Sequence, residues 1–153
     1  MRRDRPLTNG EIALARSIFE SSIDYDRVKI VRGRWWPFQP NGIVMAPTGN
    51  IHFHPNDSHW SEDFAGESLS LQGLFIHEMT HVWQSQKCGR FYLPLMRHPF
   101  CRYAYQLQDG RRFDRYGLEQ QAEIVRHRFL ADRGVLVPQL AERHLLPFDS
   151  AVT

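Results

Sequence analysis

The segment from Leu69 to Gln86 constrains the fold more than any other part of the chain. It is free of proline, and Leu71, Leu74, Phe75, Met79 and Val82 recur at helical spacing, which predicts one buried helix. Inside that helix stands His77-Glu78-Met79-Thr80-His81. Residues four apart stack on one helical face, so the imidazoles of His77 and His81 can converge on a single ion. Glu78 is offset by one position: it is poorly placed as a ligand but can reach a water on that ion and accept its proton. A shuffle of this histidine-rich composition produces the pattern roughly one time in fifty, so its weight comes from the apolar helical context.

A catalytic zinc keeps three protein ligands and one open position, so a third ligand must come from elsewhere. The spacing predicts a second helix from about 117 to 133, with Leu118, Ala122, Val125 and Phe129 as its core stripe and Gly134 as its stop. Glu119-Gln120-Gln121-Ala122-Glu123 puts two carboxylates four apart beside that stripe, where a carboxylate lacking a cation would be costly. One of the pair is expected to meet the metal.

The remaining elements are shorter. Thr8-Asn9-Gly10-Glu11 reads as a capping box opening a helix from about 9 to 22. Val28 to Val31 is a β-branched run ending at Gly33, and Trp35-Trp36-Pro37-Phe38 is expected either to plug one end of the core or to line a substrate groove. Ile43 to Ala46, the turn residues 47–50 and Ile51 to His54 read as a hairpin. Its second strand alternates Ile51 and Phe53 with His52 and His54, so the histidines share the solvent or groove face. Gly89 should end the central helix; residues 91–112, with Pro94 and Pro99, are irregular apart from a candidate strand at Tyr103 to Leu107.

At 153 residues the chain suits a single domain, 1–153, and the two helices with a small sheet predict an α+β fold. Charge is +2 with the arginines scattered, so no nucleic-acid partner is expected, and no apolar run is long enough to span a membrane. Cys88 and Cys101 lie outside any CxxC pair, which excludes a thiolate zinc finger and leaves open a disulfide or two thiols. The first residues lack the apolar core of a signal peptide, so export by that route is not expected.

The HExxH helix followed by a helix carrying Glu119-x-x-x-Glu123 resembles the gluzincin branch of the zincin metallopeptidases. That resemblance implies a zincin-like fold, one Zn²⁺ on His77, His81 and Glu119, Glu78 as the base, and Glu123 supporting a ligand histidine. The family more often has aspartate at the last position, so Glu119 and Glu123 could exchange roles. Metzincins are excluded because Gln84 and Lys87 occupy their glycine and third-histidine positions; an aspartate-ligand zincin would use Asp114. More narrowly, His77 to Gln84 and Tyr116 to Val125 resemble zincin-like domains associated with Vgr and Rhs elements of bacterial type VI secretion. This likeness implies an antibacterial effector made in the cytoplasm and delivered to a target periplasm, with a Vgr-type spike as carrier and an immunity protein as counterpart.

Hydrolysis of a peptide or protein substrate also needs a donor for the oxyanion. Candidates are Tyr116 and His127, with Tyr103, Tyr105 and Arg126, while His52 and His54 would face the cleft from an edge strand that receives the substrate. Two other functions fit the same residues: a metal-bearing scaffold that only docks onto a partner, and a hydrolase of peptidoglycan amide bonds. A scaffold would have no use for Glu78.

Overall fold

The computed structural model describes residues 3–90, 92–96 and 102–148. Among these residues three strands, β1 (Arg3–Pro6), β2 (Lys29–Arg32) and β3 (Ile51–Phe53), form one sheet in that order, with four α-helices, α1 (Asn9–Phe19), α2 (Leu69–Cys88), α3 (Tyr92–Met96) and α4 (Leu118–Ala131). The architecture is α+β. β1 runs antiparallel to β2 with Arg5 opposite Ile30, and β3 runs parallel to β2 with Ile51 opposite Ile30.

Local chemistry accounts for the helix boundaries. Thr8 caps α1 through its hydroxyl, which accepts from Glu11 N at 3.0 Å, while the Glu11 carboxylate accepts from Thr8 N at 2.8 Å. Glu11 is fully buried and also takes both terminal nitrogens of Arg5, at 2.8 and 2.9 Å, and Phe64 N at 3.0 Å. This carboxylate therefore ties β1, α1 and the turn before α2 together. β1 itself had no sequence signal: Arg3, Asp4 and Pro6 are poor strand formers, and the strand exists because β2 offers an edge and Glu11 holds Arg5. α2 ends where Gly89 takes φ 98°, a conformation that favours glycine.

The expected hairpin is reduced to one bridge. Met45 and His52 exchange backbone hydrogen bonds of 3.0 and 2.7 Å, but residues 43–46 form no strand. Gln39, 2% exposed, contributes to this: its side-chain amide donates to Ile43 O (2.8 Å), the acceptor that the next ladder pair would use, and adds a second hydrogen bond to His52 O (3.0 Å). The candidate strand at Tyr103 to Leu107 is likewise absent. That stretch is satisfied by side chains instead, with Gln139 bonding Tyr105 O and Leu107 N, and Gln120 bonding Ala104 O. Residues 92–96, expected to be irregular, make one short helix, since Pro94 in its first turn sacrifices no intrahelical bond.

The core lies between the sheet and α2, and continues to α4. Phe53, Phe64 and Phe75 stack in series at 5.6 Å per step, and Met79 and Val82 join the buried face of Ile124, Val125 and Phe129. α2 and α4 are antiparallel neighbours: Gly73 lies against Leu130 and Arg126, while Gln84, eleven residues on, reaches Leu118. A Cβ at Gly73 would sit 3.3 Å from the Leu130 side chain and 3.4 Å from Arg126 Cγ, so the missing side chain sets how closely the helices approach. The aromatic cluster does not plug the core. Trp35, Trp36 and Phe38 are 38, 44 and 75% exposed, and Trp36 and Phe38 pack edge to face on each other at 5.4 Å. Cys88 is exposed at the end of α2, and Cys101 lies outside the described residues.

Candidate metal centre

Every position of α2 from Phe75 to Ser85 is buried, so His77, Glu78 and His81 stand on a helix enclosed on all sides. The antiparallel run of α4 brings Glu119 and Glu123 against it. His77 Nε2 lies 3.2 Å from Glu119 Oε2, and His77 Nδ1 lies 3.2 Å from Glu123 Oε2. His81 Nδ1 donates to Gln84 Oε1 at 2.8 Å, which leaves the lone pair on Nε2. Both histidines thus turn Nε2 toward Glu119 and anchor Nδ1 on a second acceptor.

Could these residues hold a metal? Ligand atoms of His77, His81 and Glu119 all lie within 4.8 Å of one another, and all three residues are buried. His81 Nε2 is 2.8 Å from Glu119 Oε1 and is buried without a hydrogen bond, an orphaned nitrogen that a cation would satisfy. Two imidazoles and one carboxylate with the fourth side open form a ligand set of catalytic zinc sites. The residues fit the ion.

The electrostatics agree. Burial alone would depress His77, but hydrogen bonds to Glu119 and Glu123 and the nearby charge of Glu78 outweigh it and hold its pKa up at about 10. Burial would raise Glu123, but His77 and Arg126 hold it down at about 2; Arg126 Nε and Nη2 lie 2.5 and 3.1 Å from its two oxygens.

A cavity of about 420 Å³ opens over this cluster. Its polar side carries His77, Glu78, Glu119 and Glu123, and its apolar wall is built from Ile43, Leu71 and Leu74. A larger cavity of about 740 Å³ lies beside Trp83 and Phe113 and contains no residue of the ligand cluster, so size does not mark the chemistry here.

No family model matches the chain. Over 133 residues it is 43% identical to the type VI secretion system spike protein VgrG2b of Pseudomonas aeruginosa, a match that covers 82% of this chain and 13% of that protein. The solved effector domain of VgrG2b superposes with a TM-score of 0.74 at 41% identity, over 85% of this chain and 75% of that domain. The chain belongs to the VgrG2b effector-domain family.

For this member of the family, the structure gathers His77, Glu78, His81, Glu119 and Glu123 at one place and disperses most of the other candidates. Asp114 is outside the cluster, exposed and paired with Arg112. Tyr116 is buried, accepts from Gln108 N at 3.1 Å and borders the larger cavity. His127 is held by Tyr105, whose hydroxyl is 2.5 Å from Nδ1, and does not line the metal cavity; burial and Arg126 hold its pKa down. The expected outward face of the third strand is also corrected. His52 and His54 are 4% and 6% exposed, His54 Nε2 lies 3.0 Å from Arg34, and neither borders the metal cavity. β3 does lie at the sheet margin, but Met45 already takes both backbone groups of His52, so no substrate strand can pair there. Tyr103 and Arg126 do reach the cavity, the former stacked on His77 at 6.0 Å.

Three contributors escaped the sequence reading. Gln84 accepts from His81 and donates to Leu118 O (3.1 Å) and Gln121 Oε1 (3.0 Å), and Gln121 donates to Tyr116 O (2.9 Å). This amide chain fixes which way Gln84 points and hence the His81 tautomer. The placement of Gln84 three residues after His81, on the same helical face, was the available signal. His59, the third, lines the cavity from a loop, and nothing in its local sequence marks it.

Proposed function

We propose that this chain is a zincin-like, gluzincin-type zinc metallopeptidase that acts as a type VI secretion effector in the periplasm of a target bacterium. The observation that carries the chemistry is the convergence of His77, His81 and Glu119 under a cavity that Glu78 also lines. Membership of the VgrG2b effector-domain family supports the delivery, with a spike as carrier. No helix among the described residues is long and apolar enough to cross a membrane.

A zinc ion bound here would act as a Lewis acid on the substrate carbonyl and bring the pKa of a water toward neutrality. Glu78, buried beside the ligands, accepts that water's proton and returns it to the leaving amine. Glu123 and Gln84 hold the two histidines by Nδ1, so that Nε2 of each would be the atom to bind the ion. The apolar wall of Ile43, Leu71 and Leu74 receives a side chain next to the scissile bond and excludes water.

The test is metal analysis of protein purified without added zinc, alongside turnover of a peptide library by the parent and by Glu78→Ala. One equivalent of zinc in both proteins, with hydrolysis reduced about 10²- to 10⁴-fold in the variant, is expected. Equal activity, or equal periplasmic toxicity, of the two forms would favour a docking scaffold. Cleavage of peptidoglycan cross-links and not of peptides would change the substrate and keep the chemistry.

A further inference from the structure

The oxyanion formed during hydrolysis needs a donor, and Tyr116 and His127 are turned elsewhere. His59 lines the same cavity as Glu78 and Glu119. It stands in two tight turns directly after β3, closed by Asp57 N to His54 O at 2.9 Å and Trp60 N to Asp57 O at 3.2 Å. Trp60 pins these turns: it packs edge-on to Phe53 at 5.7 Å, and the guanidinium groups of Arg5 and Arg32 lie 5.4 and 5.7 Å from its ring.

Asp57 sets the direction of the imidazole. Its Oδ1 accepts from His59 N at 2.8 Å and lies 2.9 Å from His59 Nδ1, while its Oδ2 is buried without a hydrogen bond. The Asp57 side chain is 1% exposed and the imidazole 51%, so a buried carboxyl group holds Nδ1 of a ring that lines the cavity. Burying a carboxylate with one oxygen unsatisfied is costly; orienting His59 is a use that accounts for it. Of the other cavity-lining donors, Arg126 is paired with Glu123 and Tyr103 stacks its ring on His77, while Ser70 stands in the first turn of α2.

We infer that His59 is the catalytic electrophile of this site, with its Nε2–H donating to the oxyanion and Asp57 as its positioning residue and counter-ion. This rests on the peptidase reading. Water oxygen bonds to the carbonyl carbon, the carbonyl π pair moves to oxygen and is held by His59, and Glu78 takes the water's proton. The pair then returns, the C–N bond breaks with its electrons on nitrogen, and Glu78 delivers the proton to that amine. His59 stabilises charge throughout and ends with the proton it began with.

The experiment compares the zinc-loaded parent, His59→Ala, Asp57→Asn and the double variant by kcat, KM, zinc content, melting temperature and affinity for a phosphinic peptide that mimics the tetrahedral anion. His59→Ala should lower kcat about 10²- to 10³-fold. Its KM, zinc content and melting temperature should stay near the parent values, and its phosphinic-peptide affinity should fall in step with kcat/KM. Asp57→Asn should lose less, and the double variant should be no slower than His59→Ala, because Asp57 acts only through His59. Since His59 is exposed, its single variant decides the matter even if Asp57→Asn folds poorly. Undiminished kcat and phosphinic affinity in His59→Ala overturns the role of His59, and a double variant showing the full product of both losses overturns Asp57 as its positioning residue; both outcomes leave the peptidase reading standing. No turnover by the zinc-loaded parent removes the peptidase reading and this role together.

Discussion

Replacing Gln84 separates what orients the metal site from what merely packs beside it. In Gln84→Ala the Nδ1–H of His81, a residue 3% exposed, loses its acceptor, while Leu118 O and Gln121 Oε1 lose a donor. An unsatisfied buried group costs about 1–3 kcal/mol, and the loss of a hydrogen bond to a ligand histidine typically weakens metal affinity about 10- to 100-fold. At about 1.4 kcal/mol per tenfold change, that second figure corresponds to about 1.4–2.8 kcal/mol of binding, a loss separate from the cost to the fold. Gln84→Glu tests the same contact in reverse. Its carboxylate can still accept from His81, but it cannot donate to Leu118 O and opposes Gln121 Oε1. Zinc affinity should therefore recover toward the parent while the melting temperature stays low. A chelator-competition titration with melting curves on the same samples measures both. If Gln84→Ala binds zinc within about twofold of the parent, well inside the 10-fold lower bound, the amide chain does not tune His81 and the argument fails.

Glu119→Ala should abolish tight zinc binding whereas Glu123→Ala should weaken it about 10- to 100-fold; the opposite order in a chelator titration would exchange their roles. Arg5→Ala should destabilise the fold by about 3–5 kcal/mol by chemical denaturation, because it strands the buried carboxylate of Glu11; a loss as small as that of a surface ion pair would refute this. Gly73→Val places a branched side chain where Leu130 and Arg126 already lie within 3.4 Å, so it should part α2 from α4 and lower zinc affinity as well as the melting temperature. In the metal-free protein, His77 has its pKa raised from 6.5 to about 10, so its stabilising contribution is complete below pH 6.5 and lost as pH rises toward 10. Metal-free protein should melt progressively lower across that window, and a flat profile there would contradict the pairing of His77 with the two glutamates.

The chain by itself determined the elements that carry the ligands. Helices are made by contacts three and four residues apart, so the stripe of α2, the spacing of His77 and His81, and the paired carboxylates of α4 are all written locally. That one of Glu119 and Glu123 should meet a cation was legible from a carboxylate beside an apolar stripe, and the gluzincin resemblance pointed to Glu119, which α4 does place against the two histidines. Strands and loops depend on partners distant in sequence, and there local reading fell short. β1 formed from residues with little strand tendency because β2 and Glu11 waited for it, and Gln39 takes the Ile43 carbonyl that the expected hairpin would use. His52 alternates as an outward residue should, yet it is buried; Trp35, Trp36 and Phe38 look like core, yet their loop leaves them exposed. Only the tertiary structure set Gln84 against His81 with Gln121 behind it, and turned His59 from its Asp57 anchor into the cavity. Ligands can be read from one helix at a time, but the groups that orient them and face a substrate exist only where separate segments meet.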